Sequence, residues 1–91
     1  MEIILIHYSR KFVKKWKKIS MSQKNKLKAR ESVFRKNCYD KKLKTHKLTG
    51  KLHHLWAFSV DYKTRILFEF IGKKKEVIFH DFGGHEIYKE K

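Results

Sequence analysis

Residues 64–82 read TRILFEFIGKKKEVIFHDF, and the pattern in this stretch decides the fold. Two runs rich in β-branched and aromatic residues, 64–71 and 76–82, flank a Gly-Lys-Lys-Lys segment at 72–75. Such runs, joined by a short glycine-containing segment, predict a β-hairpin. A third run of the same kind, 52–60, precedes them. The C-terminal half is therefore expected to consist of three strands.

The N-terminal half begins with one strand and one helix. Residues 2–8 are a dense β-branched and aliphatic run, which predicts a buried strand. Ser9 is expected to cap a helix, because apolar residues follow it at the three- and four-residue spacing of one helical face. These residues are Phe12, Val13, Trp16 and Ile19.

A second helix is predicted over residues 22–36. Ser20 and Gln23 have the three-residue spacing of a capping box at its start. The helix is expected to bury three apolar residues, Leu27, Val33 and Phe34. Residues 37–51 lose this periodicity and are polar and basic, so they are expected to form a loop.

The predicted element order is β-α-α-β-β-β, which is typical of an α+β fold. We expect one domain over residues 1–91, because a chain of this length supports a single small core. The simplest packing places the two N-terminal-half helices on one face of a twisted, mostly antiparallel four-stranded sheet. The first strand would then lie among or beside the later three.

The charge balance predicts a polyanionic partner. The chain has 24 Lys and Arg against 9 Asp and Glu, a formal net charge of +15. Such an excess costs folding free energy through self-repulsion, but it attracts nucleic acid through counterion release, and it also attracts acidic proteins. The structural alternative is a solvated, solubilising lysine surface.

Cysteine usage and hydropathy predict a cytoplasmic protein. A secreted domain of this size usually has several disulfides, whereas this chain has a single cysteine, Cys38. The apolar run at residues 3–6 is too short for a signal-peptide core or a membrane span. We therefore expect no membrane association.

Histidines are numerous for so short a chain, namely His7, His46, His53, His54, His80 and His85. His7 and His80 lie in predicted strands and are expected to be structural. A metal site could be imagined from His53, His54, His80, Asp81 and His85, but their spacing matches no established ligand pattern. No metal or other cofactor is therefore expected.

His46 and His85 lie in segments without periodicity, where loops on a rigid scaffold often carry function. Arg65 interrupts an otherwise apolar strand, so its charge must reach solvent or a partner. The alternative for His46 is a solvated loop residue. For Arg65, the alternative is a surface ion pair with Asp61 or Glu69.

Two imidazoles and a guanidinium suit RNA cleavage by transesterification. This reaction needs a base for the 2′-hydroxyl proton, cations for the phosphorane-like transition state and an acid for the leaving 5′-oxygen. These residues, with the surrounding lysines, supply each role without a metal. DNA lacks the 2′-hydroxyl and would not react.

Four segments in register resemble the C-terminal half of RelE/ParE-type toxins, and are most similar to the YafQ-like and YoeB-like branches. They are residues 46–52, 55–60, 64–68 and 78–88. The Ser-Arg-Lys-Phe start of the first helix, residues 9–12, also resembles the family. The similarity therefore extends over nearly the whole chain and implies a RelE-like fold.

The resemblance implies roles for individual residues. It implies that His46 is the general base, Arg65 the phosphate-binding cation and His85 the general acid. Three further residues are expected to bind substrate: Tyr88 by stacking, and Lys47 and Lys51 through phosphate. His53, His54 and Asp61 are weaker candidates. This chain has Gly84 where the family often has Thr or Ser before the last histidine.

The resemblance also implies a type II toxin–antitoxin system. The chain would be an mRNA interferase that cleaves mRNA in the ribosomal A site, without a metal. Its partners would be the ribosome, mRNA and a cognate antitoxin, with which it would form a hetero-oligomer.

The sequence also allows two alternatives. One is a ParE-like gyrase-inhibiting toxin, which shares the fold but lacks these catalytic residues. The other is a basic nucleic-acid-binding module without catalysis. The joint presence of His46, Arg65 and His85 favours the ribonuclease.

Overall fold

The computed structural model describes residues 1–72 and 75–89. Within them the chain forms two α-helices and five strands, which in chain order are β1 (Leu5–Tyr8), α1 (Arg10–Trp16), α2 (Met21–Lys36), β2 (His46–Lys47), β3 (Trp56–Ser59), β4 (Arg65–Ile71) and β5 (Glu76–Gly83). Single turns of 3-10 helix occur at Lys41–Leu43, Gly50–Leu52 and His85–Tyr88. No helix in the described ranges has the length and apolar character needed to cross a membrane.

The strands form one sheet in the order β1-β5-β4-β3-β2. β2, β3, β4 and β5 pair antiparallel with their neighbours, whereas β1 runs parallel to β5. The α+β prediction and the mostly antiparallel sheet are thus confirmed, with β1 beside the later strands.

The sheet has five strands where four were predicted. The additional strand, β2, lies in the stretch 37–51 that was expected to be a loop. Its two residues pair with β3, His46 opposite Ala57 and Lys47 opposite Trp56. A strand of two residues has no periodicity of its own, so only the tertiary pairing reveals it.

The first strand is shorter and more exposed than predicted. A buried strand was expected over residues 2–8, but β1 starts at Leu5 and lies at the sheet edge. Ile3 and Ile6 are buried, whereas Ile4 is 65% exposed. A continuous apolar run is typical of a strand covered on both faces. Here the helices cover only one face of the sheet. Two of the four apolar residues at 3–6, Ile4 and Leu5, therefore stay exposed.

Both helix starts are capped as the sequence predicts. The Ser9 hydroxyl accepts a hydrogen bond from the Phe12 N–H at 3.0 Å, and the Ser20 hydroxyl accepts one from the Gln23 N–H at 3.1 Å. The Gln23 side chain also accepts from the Ser20 N–H, which completes the capping box. α1 and α2 therefore begin at fixed points in the sequence.

The strand predicted over residues 52–60 begins later than expected. The expectation was a strand over residues 52–60, but β3 starts at Trp56, because Gly50–Leu52 forms a 3-10 helix and a turn follows. The predicted turn at 72–75 lies partly outside the described residues, which exclude 73 and 74. Gly72 before this gap has a φ of +67°, as a tight turn requires.

Two apolar clusters occupy opposite faces of the sheet. The larger, between helices and sheet, contains four fully buried phenylalanines: Phe34, Phe58, Phe68 and Phe79. The smaller contains Leu55, Ala57, Leu67 and Ile87. Neighbouring residues of β4 point to opposite faces, so Phe68 joins the first cluster and Leu67 the second. The small cluster positions the candidate site.

We predict that Phe34→Ala lowers the unfolding free energy by about 3–5 kcal/mol, the usual cost of removing a buried aromatic ring. Phe34 is fully buried and its ring stacks on Phe58 at a centroid distance of 4.6 Å. Urea denaturation measures the change. Met21→Ala is the control, because Met21 is 67% exposed and its loss should change stability by less than about 0.5 kcal/mol. Equal stability of the two variants would contradict this core assignment.

Candidate active site

An open cleft of about 770 Å³ lies beside the smaller apolar cluster. Eight residues from three separate parts of the chain line it: His46, Leu48, Tyr62, Lys63, Arg65, Gly84, His85 and Tyr88. None of these lining residues is acidic. The cleft therefore brings together the three predicted catalytic residues and Tyr88 in positive surroundings.

Strand register explains why distant residues meet here. His46 of β2 lies opposite Ala57 of β3, and Ala57 lies opposite Leu67 of β4. Arg65 precedes Leu67 by two residues and so has its side chain on the same face. On its other side Arg65 lies opposite Gly83, the last residue of β5. His85 follows Gly83 by two residues, just beyond the end of β5.

The 3-10 helix His85–Tyr88 is anchored by Ile87, which is buried in the smaller cluster. Close approach of this helix requires glycine at position 83. A Cβ atom added there would come within 2.8 Å of Ile87 Cγ2, and Gly83 has a φ of +153°. The glycine therefore lets the chain turn back and present His85 at the cleft.

The imidazole of His46 has a defined hydrogen-bond arrangement. Its Nδ1 lies 3.0 Å from the carbonyl oxygen of Lys44. Because a carbonyl only accepts, Nδ1 carries the proton, and in the neutral ring Nε2 presents a lone pair. Lys44 has a φ of 52°, a left-handed conformation that costs about 1–2 kcal/mol for a non-glycine residue. A strained turn thus orients His46 as a proton acceptor.

Arg65 is held by the turn between β3 and β4. Its Nη1 donates to the carbonyl oxygen of Asp61 at 2.8 Å and, more weakly, to those of Tyr62 and Thr64 at 3.3 Å. Within residues 1–72 and 75–89, Nε and Nη2 make no hydrogen bond. The guanidinium is therefore fixed by one edge while other N–H groups are available to an anion.

The surface ion pair considered for Arg65 does not form. Its contact to Asp61 is through the main chain, and Glu69 binds Nε2 of His80 at 2.9 Å instead. Arg65 is thus not neutralised by either carboxylate.

Asp61 shapes the turn and does not line the cleft. Its Oδ1 accepts from the N–H groups of Lys63 at 2.9 Å and Thr64 at 2.8 Å. Partial burial alone would raise the pKa of Asp61, but these N–H groups, the Thr64 side chain and the charge of Lys26 together lower it. The carboxylate stays ionised near neutral pH and stabilises the turn.

Tyr88 and His85 lie next to each other at the cleft, with ring centroids 6.2 Å apart. Burial raises the pKa of the Tyr88 phenol, although the nearby charge of Arg65 opposes the shift. The phenol is therefore protonated near neutral pH and can donate a hydrogen bond.

Several solved structures share this architecture. YafQ from E. coli is 21% identical over 90% of this chain and 93% of its own, with a TM-score of 0.69. The YoeB/ParE toxin from Agrobacterium tumefaciens is 10% identical over 90% and 99%, with a TM-score of 0.75. A chain of the archaeal RelE–RelB complex from Pyrococcus horikoshii is 13% identical over 92% of this chain and 96% of its own, with a TM-score of 0.70. This chain has the RelE/ParE toxin fold.

The match is one of fold, and the RelE-like fold implied by the sequence is confirmed. No protein-family model and no curated protein matches the sequence. One neighbour was solved as the E. coli DinJ–YafQ toxin–antitoxin complex.

Several predicted site residues lie outside the cleft of this RelE/ParE fold. Lys47 follows His46 in β2, so alternation directs its side chain to the other face. Lys51 lies in the 3-10 helix Gly50–Leu52, and the exposed His53 and His54 follow it. The Nδ1 of His53 bonds the Gly50 carbonyl at 3.0 Å. Substrate binding by these residues stays a prediction.

Sequence reasoning missed Tyr62 and Lys63, which line the cleft from the β3–β4 turn. The signal that could have found them is an aromatic and a lysine at the tip of a tight connection between two apolar strands. In the described part of the chain, no group of three or more His, Cys, Asp or Glu side chains could hold a metal ion.

We predict that Asp61→Ala lowers the unfolding free energy by about 1 kcal/mol, because it removes the acceptor for two turn N–H groups. The pKa of Asp61 is lowered in the folded chain, so its stabilisation is complete above about pH 4 and is lost as the pH falls through the lowered value.

Thermal unfolding between pH 2 and 7 measures this difference. The matched control is Asp61→Asn, which keeps an acceptor oxygen and should retain most of the stability at pH 7. A gap between wild type and Asp61→Ala that is the same at pH 2 and pH 7 would show that the carboxylate does not hold the turn.

Proposed function

We propose that this chain is an mRNA interferase toxin of a type II toxin–antitoxin system, an endoribonuclease that works without a metal. The observation that carries the proposal is the cleft that His46, Arg65 and His85 line. Two imidazoles and a cation around one hollow are the groups that RNA transesterification requires.

The reaction proceeds by attack of a ribose 2′-oxygen on the adjacent phosphorus. Nε2 of His46 takes the 2′-hydroxyl proton while the O2′–P bond forms. The P–O5′ bond breaks as His85 gives a proton to the leaving 5′-oxygen. The products are a 2′,3′-cyclic phosphate and a 5′-hydroxyl, so no water, metal or oxidant is consumed.

Arg65 stabilises the negative charge that develops on the non-bridging phosphate oxygens. Its Nη1 is engaged by main-chain carbonyls, so the guanidinium is oriented before substrate binds. Preoriented donors stabilise a transition state without the cost of reorganisation. Tyr88 adds a hydrogen-bond donor or a stacking surface beside His85.

The positive net charge of the chain supports both RNA as the substrate and an acidic antitoxin as the regulator. A net charge of +15 favours association with phosphate backbones, and the cleft lining has no carboxylate to oppose it. The resemblance of residues 46–52 and 78–88 to the toxin family supports mRNA in the ribosomal A site as the substrate. We infer a cognate acidic antitoxin in a hetero-oligomer, which the DinJ–YafQ complex supports by analogy.

We predict that His46→Ala, Arg65→Ala and His85→Ala each lower the cleavage rate at least about a hundredfold, the scale of a lost acid, base or transition-state cation. The assay incubates the purified chain with translating ribosomes and maps the 5′ ends of the mRNA. His53→Ala is the matched control, because His53 is an exposed histidine outside the cleft.

Wild-type cleavage by all three variants would refute the assignment. Since Arg65 also holds the β3–β4 turn, thermal unfolding of Arg65→Ala must accompany the rate. RNA binding without cleavage by the wild type would favour a non-catalytic module. Linear DNA produced with gyrase would favour a gyrase-inhibiting toxin.

We further predict a bell-shaped dependence of the cleavage rate on pH, because one imidazole must be neutral and the other protonated. Because the proposed reaction uses no metal, adding EDTA should leave any residual cleavage of ribosome-free RNA unchanged. A flat wild-type profile would contradict two-histidine catalysis.

A further inference from the structure

The tip of the β3–β4 turn exposes an aromatic side chain at the cleft. Tyr62 is 91% exposed, more than any other large hydrophobic residue in the described ranges. Tyr8 and Tyr39, by comparison, are 41% and 47% exposed, and both pack against other rings. Within residues 1–72 and 75–89 the ring of Tyr62 makes no aromatic contact, so its faces are accessible to a ligand.

The turn that carries Tyr62 is held by several hydrogen bonds. Asp61 accepts two main-chain hydrogen bonds from inside the turn, and the Arg65 guanidinium donates to the Tyr62 carbonyl among others. A side chain on a fixed backbone loses less conformational freedom when it binds a ligand. The turn therefore presents Tyr62 in a prepared position.

Lys63, the next residue, lines the same cleft. Its ammonium forms no ion pair with a carboxylate in residues 1–72 and 75–89. An exposed ring and an unneutralised cation on neighbouring residues match the two parts of a nucleotide, a base and a phosphate.

We propose that Tyr62 and Lys63 form a nucleotide-binding subsite next to the proposed catalytic centre. Tyr62 stacks on the base of a nucleotide that flanks the scissile linkage, and Lys63 binds its phosphate. The ligand class is single-stranded RNA, because a base exposes its face for stacking only when it is unstacked from its neighbours. The proposal deepens the ribonuclease function and rests on it for the choice of RNA.

Stacking tolerates any base, since every base has a π-face. The subsite therefore supplies affinity without a sequence preference. Its loss should raise KM and leave kcat nearly unchanged, because the flanking base does not react. A purely structural role of Tyr62 would instead lower thermal stability, which its exposure argues against.

The test measures binding of a single-stranded 2′-O-methyl RNA oligonucleotide, which has no free 2′-hydroxyl and is not cleaved. Alanine in place of a stacking ring weakens binding about 5- to 150-fold per base, and an open cleft favours the lower end. We expect Tyr62→Ala to weaken binding about 5- to 10-fold, whereas Tyr62→Phe keeps the ring and the affinity. The control is Tyr39→Ala, because Tyr39 packs on Trp56 and not in the cleft.

Salt dependence tests the phosphate contact of Lys63. Each phosphate contact to a single strand contributes about 0.7 to the slope of log affinity against log salt. Lys63→Ala should reduce the slope by about that amount. Lys36→Ala, at the exposed end of α2, should change it less.

The outcomes separate this inference from the proposed function. Equal oligonucleotide affinity of Tyr62→Ala and wild type overturns the subsite, even where the wild type cleaves mRNA. Undetectable binding by the wild type also overturns it. Weaker binding by Tyr62→Ala supports the subsite, and a wild type that binds but cleaves no RNA refutes only the catalytic proposal.

Discussion

The packing of Ile87 with Ala57 and Leu67 is the contact on which the candidate site depends. A chain of 91 residues has two helices to cover the sheet, and they cover only one face. The second face keeps a small apolar cluster under a single turn of 3-10 helix. His85 and Tyr88 belong to that turn, so a few buried side chains determine where they lie relative to Arg65.

Acidic side chains in this basic protein are used largely for structure. Asp81 is buried and bonds Lys15 at 2.7 Å, Glu69 bonds His80, and Asp61 holds a turn. These interactions tie α1 to β5 and shape the β3–β4 connection. The cleft lining is left without a carboxylate, so the whole of its charge is available to attract phosphate.

The sequence signals were strongest where chemistry is local. Ser9 and Ser20 mark helix starts because capping needs only a hydroxyl at a fixed spacing from an N–H. β2 could not be found in this way, since its two residues form a strand only through their pairing with β3. The family resemblance identified His46, Arg65 and His85, but not Tyr62, whose position depends on how the hairpin packs. Lys47 shows the same limit, because strand alternation turns it away from its neighbour.

The hydrogen bond between Nδ1 of His46 and the Lys44 carbonyl changes in strength during the proposed proton transfer. In the proposed reaction, Nε2 gains a proton and the ring becomes an imidazolium. The bond at Nδ1 is then charge-assisted and shorter, so it strengthens as the transition state is approached and weakens only when the imidazolium loses its proton to solvent. A main-chain amide thereby supplies the selective stabilisation that many enzymes obtain from a buried carboxylate, and side-chain substitution at position 44 leaves its acceptor oxygen in place.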